Sequence, residues 1–510
     1  MRGIRPVLLA WALVAGLTTA PYLRASLAPP PGTAFLGFFY FVDDQYNYLS
    51  YAEQAERGAF LFENKLVLEE HPPLLVNLEW WLVGRLSAAL GGRPFLAWRL
   101  LGLAAAFAFL LALDRWLGAA GLPATHRFPA LLLVGTAGGL GGLAWTTRLL
   151  PLPDALDLTT GLFPFVELLA NPHFAAGTAL LLWSLLALVQ ARGPAGHLRA
   201  ALLGTVLGLV RPYDLVVLVA ARGLGVAATR PPRLWLRSLA PLLGFAPVAA
   251  YLAWVFYGVP WFGSFGLTYV SPRGLAFAIA LGPAFALALL ALRTRPPGED
   301  ERAARRHLAA WVAVVSLVLL LRPVGFALQF AVGLGAPLLV LGALGLARLP
   351  PRVTLLAVPA LSSTALAALA LVAGDNPRWY VPPERLEAAA ALRASCRAGD
   401  RALTPADIGL YVSGLTACRP VVSHPAAPGH AAREAAVRRF YAAGPPAARA
   451  ALLDRLCATH VALPGDPGEA PAGWLGAATA FRRIASAGEG PRRIALYSRE
   501  RPAGCLARSP

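Results

Sequence analysis

Charged side chains are scarce in this sequence. Only 14% of its 510 residues are charged, whereas 57% are hydrophobic and the mean hydropathy is +0.58. A single water-soluble core cannot bury this much apolar surface, which excludes an ordinary soluble protein. We therefore predict a polytopic α-helical membrane protein that is surrounded by a lipid bilayer.

Lysine is almost absent, because Lys65 is the only one, and the formal net charge of +18 comes from arginine. Most of the arginines lie in short segments between apolar runs, where basic residues orient helices toward the cytoplasm. This distribution argues against a basic surface for nucleic acid. We expect no nucleic acid among the partners.

Cysteine is absent from the apolar part of the chain. The four cysteines lie in the polar C-terminal part, at Cys396, Cys418, Cys457 and Cys505. No C-x-x-C pair or Cys/His metal spacing accompanies them, so a zinc site is not expected. If this part lies outside the cytoplasm, one or two disulfides are expected, and all three pairings remain open.

The first apolar run covers residues 7–20 and follows Arg2 and Arg5. We predict an uncleaved first helix rather than a signal peptide. The small residues at 18–20 resemble a cleavage site, but Pro21 directly after them is incompatible with cleavage there. The two arginines place the start of this helix in the cytoplasm. The segment that follows it then lies outside.

Further apolar runs approach the length of a bilayer crossing. They cover residues 94–113, 128–147, 174–191, 239–257, 273–293, 308–321, 325–347 and 352–373. The run at 200–226 is interrupted by Arg211-Pro212-Tyr213-Asp214 and has basic residues on both flanks. It predicts two short helices that enter and leave from the cytoplasm, with Arg211 and Asp214 as a structural pair at the break. The total is about ten to twelve membrane helices.

Two segments differ from this membrane pattern. The predicted outer loop 21–93 contains a stretch of mixed polarity at 74–90, which is typical of an interfacial amphipathic helix. From residue 374 the composition becomes that of a soluble α/β domain. Its helical patterns cover 384–394, 430–443 and 446–457, and its strand-like runs cover 401–403, 420–423, 460–463 and 493–498. We predict a membrane domain at 1–373 and an extracytoplasmic domain at 374–510.

Two adjacent carboxylates, Asp43 and Asp44, follow the first helix. Acidic side chains next to the membrane are energetically unfavourable and are typical of functional sites. The negative charge of each aspartate also raises the pKa of the other. The pair is suited to act as a general base, or to bind a divalent cation such as Mg²⁺ or Mn²⁺. The structural alternative is a solvated loop start.

A second polar motif follows in the same outer loop. Glu69, Glu70 and His71 precede Pro72-Pro73, which holds the chain extended. An acid and an imidazole on a rigid backbone could position an acceptor or a sugar. The alternative is an ordinary loop that leads into a helix.

These two motifs, in this order, resemble the GT-C class of membrane glycosyltransferases, and within it the protein O-mannosyltransferases and the aminoarabinose transferases of lipid A. The resemblance covers roughly the first 200 residues. The residues that carry it are Asp43, Asp44, Tyr46, Glu70, His71, Pro72, Pro73 and Leu74.

The resemblance implies a function at the outer face of the cytoplasmic (inner) membrane. A sugar would pass, with inversion, from a polyprenyl-phosphate donor to a glycan, lipid or protein acceptor. Asp43 would be the base that takes the acceptor's proton. Asp44 stands where several relatives have Glu and would support Asp43 or contact a metal, while Tyr46, Glu70 and His71 would bind substrate.

The donor phosphate requires positive charge near the outer interface, because charge builds on the leaving oxygen. The candidates are Lys65, Arg148, His173 and Arg322. The second outer loop adds Asp154 and Asp157, which could share a metal or orient the acceptor. The structural alternatives are membrane anchoring for each basic residue and helix capping for Asp154.

Two other functions remain open from the sequence. A transporter or lipid flippase would have paired helix interruptions in both halves, and only one clear interruption, at Pro212, is present. A non-catalytic assembly protein would have no need of the acidic outer loop.

Overall fold

The computed structural model describes residues 4–148, 155–159, 161–263, 274–294, 296, 298–321, 324, 326–442, 445–465, 475, 480–502 and 505. Most elements within these residues are helices, and the strands are short.

The helices are α1 Arg5–Leu27, α2 Val42–Glu56, α3 Leu78–Ala89, α4 Pro94–Ala119, α5 Ala124–Thr136, α6 Gly141–Thr147, α7 Leu156–Thr159, α8 Pro164–Ala170, α9 Pro172–Gln190, α10 Gly193–Val210, α11 Tyr213–Thr229, α12 Trp235–Leu239, α13 Ala246–Ala253, α14 Pro260–Gly263, α15 Gly274–Leu292, α16 Glu299–Leu321, α17 Gly335–Leu346, α18 Pro351–Leu361, α19 Ser363–Ala373, α20 Pro383–Ser395, α21 Ala406–Leu415, α22 His430–Tyr441 and α23 Pro446–Arg455. The strands are β1 Ala34–Phe35, β2 Tyr380–Val381, β3 Arg401–Leu403, β4 Arg419–Pro420, β5 His460–Pro464, β6 Arg482–Ala487 and β7 Ile494–Ser498.

The chain divides into two compact units. The first consists of Met1–Arg24, Trp98–Ala253 and Leu267–Gly374, and the second of Ala25–Ala97, Trp254–Gly266 and Asp375–Pro510. In this division the segment 25–97 is grouped with the C-terminal residues. Hydropathy reports where a segment is apolar but not which segments pack together, so the sequence did not reveal this grouping. The domains 1–373 and 374–510 remain a prediction.

Among the described residues, eight helical segments are long and apolar enough to cross a membrane, and the bent pair α5–α6 raises the number to nine. This confirms a polytopic membrane protein. Three of the eight, Pro232–Gly258, Ala327–Leu346 and Pro351–Ala373, each contain more than one short helical element. The predicted number was higher because it included the two helices on either side of Arg211, which are shorter than any of these eight segments. Those two helices are present as α10 and α11, and they meet at Arg211-Pro212 as expected.

The break between α10 and α11 is closed by polar contacts inside the first unit. The Arg211 guanidinium is buried and forms an ion pair with Asp214. It also donates a hydrogen bond to the backbone carbonyl of Gln329 at 2.7 Å. A buried charge requires such partners, so Arg211 and Asp214 form the structural pair that the sequence predicted.

In the second unit, α2 and α3 pack closely against each other. An added Cβ at Gly84 of α3 would collide with the backbone oxygen of Ala52 and lie 2.5 Å from the Cβ of Ala55. The Asn77 side chain caps α3, because its oxygen accepts hydrogen bonds from the backbone N–H groups of Glu79 and Trp80. The predicted helix at 74–90 is therefore present, and its position on a membrane surface remains a prediction.

The C-terminal residues form the expected α/β structure around a five-stranded sheet. The strand order is β4-β3-β5-β7-β6, with β3 parallel to β4 and β5, and with β7 antiparallel to β5 and β6. The sequence analysis did not predict α21 or β6. In addition, β1 pairs antiparallel with β2, which joins the segment after α1 to the start of the C-terminal part.

Two disulfides are present, Cys396–Cys418 and Cys457–Cys505, where the sequence led us to expect one or two. The sequence could not choose this pairing, because the tertiary fold decides which cysteines lie close together. Disulfides persist in oxidising compartments and are rare in the cytosol.

Candidate functional site

The adjacent acids lie in the first turn of α2. Phe41 adopts a left-handed backbone conformation (φ 51°, ψ 41°) just before this helix, so the chain turns sharply and α2 begins at Val42. Asp43 and Asp44 therefore lie at the positive end of the helix dipole, which stabilises negative charge.

The Asp43 carboxylate is accessible to solvent and makes no hydrogen bond within the part of the chain that the structure describes. The protein surrounding it nevertheless desolvates it, and this burial raises its pKa above the usual range for aspartate. The negative charge of Asp44 acts in the same direction, and His424, Arg378 and His430 act against it. Asp43 is thus a reachable carboxylate with increased proton affinity.

Asp44 has a fixed partner. The Nε2 atom of His424 lies 3.1 Å from Oδ1 of Asp44. The Nδ1 atom of His424 accepts a hydrogen bond from the backbone N–H of Ala426 at 3.0 Å, so the proton of the neutral ring is on Nε2 and is donated to Asp44. His424 is buried, and it orients Asp44 beside Asp43.

Tyrosine rings support this end of α2. Tyr46 is fully buried, donates to the backbone carbonyl of Leu36 at 3.1 Å, and packs against Tyr411 with 5.0 Å between ring centroids. Burial raises the pKa of Tyr411 to about 12, so its hydroxyl stays protonated at neutral pH. Tyr46 contributes to the site by holding α2 against α21, and substrate contact by Tyr46 remains a prediction.

Lys65 lies in a buried ion pair. Its Nζ donates to Oε2 of Glu53 at 2.5 Å and to the backbone carbonyl of Thr416 at 2.7 Å. Its side chain is only 4% exposed. The single lysine of the chain therefore neutralises a buried carboxylate, which leaves it poorly placed to bind a lipid phosphate.

Glu70 and His71 are also held by contacts within the second unit. Glu70 pairs with Arg501 at 2.9 Å. His71 accepts a hydrogen bond from the backbone N–H of Asn64 at Nε2 and contacts the carbonyl of Glu69 through Nδ1, while its ring stacks on Trp261. Burial lowers the pKa of His71, which keeps the ring neutral. Both ring nitrogens are engaged, and the geometry assigns His71 a role in shaping this loop.

The remaining predicted residues belong to the first unit or lie outside the described residues. Asp157 is buried and accepts hydrogen bonds from the N–H of Gly142 at 3.0 Å and from Thr364 at 2.7 Å. His173 is buried in the first turn of α9, and Arg148 is exposed after α6. Asp154 and Arg322 lie outside the described residues.

Two basic residues near Asp43 were missed by sequence reasoning. Arg378 is exposed, its side chain makes no hydrogen bond or ion pair among the described residues, and its charge acts on Asp43. His424 is the other. Histidine is infrequent in this protein, with 8 in the chain, so its occurrence in the C-terminal part was an available signal. No local pattern linked it to Asp44.

One cluster of potential metal ligands lies in the C-terminal part. Among the described residues, the one group of three close His, Cys, Asp or Glu ligands is Cys396, Cys418 and His460. It does not suit a metal ion, because the two sulfurs form a disulfide and no thiolate is available. Asp43 and Asp44 supply two carboxylates, which is the usual protein share of a Mg²⁺ site that also uses waters and substrate phosphate.

Comparisons with known proteins find likeness in fold. No protein-family model matches the sequence, and no curated protein sequence matches it either. The arabinofuranosyltransferase AftD from mycobacteria matches 97% of this chain at a TM-score of 0.57 and 20% identity. This chain spans 40% of the AftD chain.

Two other solved structures are similar over most of the chain. ArnT from Cupriavidus metallidurans, bound to undecaprenyl phosphate, matches 97% of this chain and 98% of its own at a TM-score of 0.56 and 13% identity. The Archaeoglobus fulgidus oligosaccharyltransferase, tethered with an acceptor peptide containing the NVT sequon, matches 90% of this chain and 69% of its own at a TM-score of 0.55 and 11% identity. The resemblance seen in the sequence is thereby confirmed at the level of fold: this chain is an integral membrane protein with a GT-C-like fold.

Proposed function

We propose that this protein is a glycosyltransferase that transfers a sugar from a polyprenyl-phosphate donor to an acceptor at the extracytoplasmic face of the cytoplasmic membrane. One observation carries the proposal, namely the reachable Asp43 carboxylate with its raised pKa in the first turn of α2. The fold likeness supports the class of reaction, since two of the similar proteins were solved with undecaprenyl phosphate and with an acceptor peptide.

In this reaction Asp43 is the general base. As the acceptor hydroxyl or amide attacks the anomeric carbon of the donor sugar, Asp43 takes its proton. The new bond joins the acceptor atom to the sugar, and the bond between the sugar and the phosphate oxygen breaks. The products are the glycosylated acceptor, with inverted configuration, and the free polyprenyl phosphate.

Asp44, His424 and Arg378 assist this step in different ways. The hydrogen bond from Nε2 of His424 fixes the orientation of Asp44, and the charge of Asp44 raises the pKa of Asp43. Arg378 has its guanidinium free of described partners and is suited to bind a phosphate oxygen of the donor. It takes the role for which the sequence had suggested Lys65, Arg148, His173 and Arg322.

A divalent cation, if bound at Asp43 and Asp44, would add positive charge for the leaving phosphate. The proposed proton transfer does not depend on it. One oxygen of Asp44 is already engaged by His424, so Asp43 and the remaining oxygen of Asp44 are the atoms that could hold the ion.

The decisive experiment replaces Asp43 with Asn in the full-length protein and measures transfer in reconstituted membranes. The assay would use a panel of radiolabelled polyprenyl-phosphate sugars that includes arabinofuranose, with membrane glycans as acceptors. General-base catalysis contributes about 10²- to 10⁴-fold, so we expect the variant to lose at least about 100-fold in transfer rate.

The matched control is Asp454→Asn, which neutralises an exposed aspartate of α23 that pairs with Arg499, the residue after β7. We expect this control to keep full activity. Both variants must elute as the same folded species as the parent protein. Full transfer by the Asp43→Asn variant would remove Asp43 as the base, and loss of transfer in both variants would point to instability instead.

A further inference from the structure

The first unit contains a basic pocket that the proposed reaction does not use. It is a cavity of about 520 Å³ with lining residues from α4, α5, α9 and α10. Three arginines from three different helices border it, namely Arg115, Arg127 and Arg199. Trp183 and Leu186 of α9 form an apolar wall.

Among the described residues, no acidic side chain forms an ion pair with any of these three arginines. No lining residue among those the structure describes is a carboxylate. Arg115 and Arg199 make no hydrogen bond or ion pair within the described part of the chain, and Arg127 donates from Nε to the backbone carbonyl of Leu122 at 3.3 Å. The exposed Asp300 pairs with Arg192 at 3.2 Å, outside this pocket. Like charges in one concavity repel, so a bound anion would stabilise the arrangement.

The pocket lies where two membrane helices end. Helices α4 and α9 run side by side and parallel, since Gly102 of α4 lies against Pro172 at the start of α9. Near the other end, the Trp116 indole donates to the carbonyl of Leu182 at 3.0 Å. Both helices qualify as membrane spans, so their common end lies at a membrane boundary.

A glycine makes room for one of the arginines. An added Cβ at Gly118, in the last turn of α4, would lie 2.9 Å from a terminal guanidinium nitrogen of Arg127. Such a contact would displace the guanidinium. A glycine in a helix is less favourable than alanine by about 1 kcal/mol, and at this position it leaves room for the Arg127 guanidinium beside α4.

We propose that this pocket binds the phosphate headgroup of an anionic membrane phospholipid. The guanidinium groups of Arg115, Arg127 and Arg199 contact the phosphate oxygens, and the acyl chains lie against Trp183 and Leu186. Basic pockets between membrane helices are suited to anionic headgroups, and tryptophan is frequent at the membrane interface. A single arginine at a helix end serves membrane orientation, but that role does not require three arginines around one cavity.

The test is native mass spectrometry of the purified full-length protein with phosphatidylglycerol or phosphatidylcholine of identical acyl chains. We expect retention of phosphatidylglycerol and little retention of phosphatidylcholine. The triple variant Arg115→Gln, Arg127→Gln and Arg199→Gln should bind phosphatidylglycerol at least about tenfold more weakly, because each arginine near the membrane surface contributes about 1 kcal/mol.

The matched control is the triple variant Arg192→Gln, Arg233→Gln and Arg237→Gln. It removes the same number of charges at positions that do not line the pocket, and its binding should change by less than about twofold. The variant Gly118→Ala keeps all three charges but displaces Arg127. It should weaken phosphatidylglycerol binding several-fold. If the triple pocket variant fails to fold, Gly118→Ala still tests whether the pocket binds the lipid headgroup.

Three results would overturn the proposal. One is equal loss of binding in the pocket and control variants, which would indicate a general charge effect. Another is unchanged binding in both the pocket triple variant and Gly118→Ala. The third is displacement of the lipid by glycerol phosphate at equal concentration, which would identify a soluble anion as the ligand. None of these readouts measures sugar transfer, so this proposal and the proposed function can fail independently.

Discussion

At the scale of single residues, the two adjacent aspartates differ in what surrounds them. Asp44 accepts a hydrogen bond from His424, whereas Asp43 has none within the described residues and faces solvent. When its ring is protonated, His424 also lowers the pKa of Asp43 by its positive charge, so it affects both members of the pair. We therefore regard His424 as a positioning residue, which acts through Asp44 rather than on the substrate.

This assignment predicts the pH dependence of transfer. Asp43 acts as a base only when ionised, so activity should rise as the pH rises through its pKa, above the range of an ordinary aspartate. In His424→Ala the positive charge that a protonated His424 places near Asp43 is lost, so the pKa of Asp43 rises and the acid limb of the kcat/KM profile moves to higher pH. At neutral pH we expect a loss of about tenfold, consistent with one hydrogen bond to a charged group.

The conservative variant His424→Gln is the control for this prediction. Its amide nitrogen can donate to Asp44 in place of Nε2, so part of the lost activity should return. An acid limb that stays in place in His424→Ala, or moves to lower pH, would contradict the role of His424.

At the scale of secondary-structure elements, α2 carries the candidate base and is positioned by its packing partners. Gly84 lets α3 approach the backbone of α2, and Gly414 lets α21 approach Tyr46, where an added Cβ would lie 2.7 Å from the Tyr46 carbonyl oxygen. Helices packed this closely transmit small shifts, because protein interiors are dense.

We predict that Gly84→Ala destabilises the protein by about 1–3 kcal/mol, the usual cost of overpacking. It should also reduce transfer, because α2 must shift and Asp43 moves with it. The control is Gly223→Ala in α11, where no atom lies within 4 Å of the added Cβ. There the substitution should be neutral or stabilise by up to about 1 kcal/mol. Thermal unfolding of both variants in one detergent gives the comparison, and equal melting temperatures would show that the α2–α3 contact is not tight.

At the scale of the whole molecule, we predict from the disulfides and the arginines that the C-terminal part is extracytoplasmic. The second unit carries both disulfides, which favour an oxidising compartment. Basic residues such as Arg192 and Arg199 border the connection between α9 and α10, and short basic connections favour the cytoplasm.

Site-directed cysteine labelling tests this orientation. Ala195 and Ala447 are exposed positions, in α10 and α23, that can each be replaced by cysteine. The native cysteines are all disulfide-bonded and should stay unreactive. In intact cells a membrane-impermeant maleimide should label Ala447→Cys and spare Ala195→Cys, which should react only after lysis. The reverse pattern would place the C-terminal part in the cytoplasm and exclude the proposed extracytoplasmic site.

The sequence by itself determined the properties that depend on local composition. Apolar runs of bilayer length determined the membrane class, Arg211-Pro212 determined the helix break, and alternating patterns after residue 374 determined an α/β region. The adjacent aspartates also stood out locally, because acids beside a membrane segment are uncommon.

Only the tertiary structure decided which distant residues meet. Asp44 and His424 are separated by 380 positions, and Lys65 and Thr416 by 351. The cysteine pairing and the approach of three arginines to one pocket are likewise consequences of the path of the chain. Hydropathy and helix signals depend on neighbours within a few turns, whereas such contacts depend on how whole elements pack, so no local pattern in the sequence could have specified them.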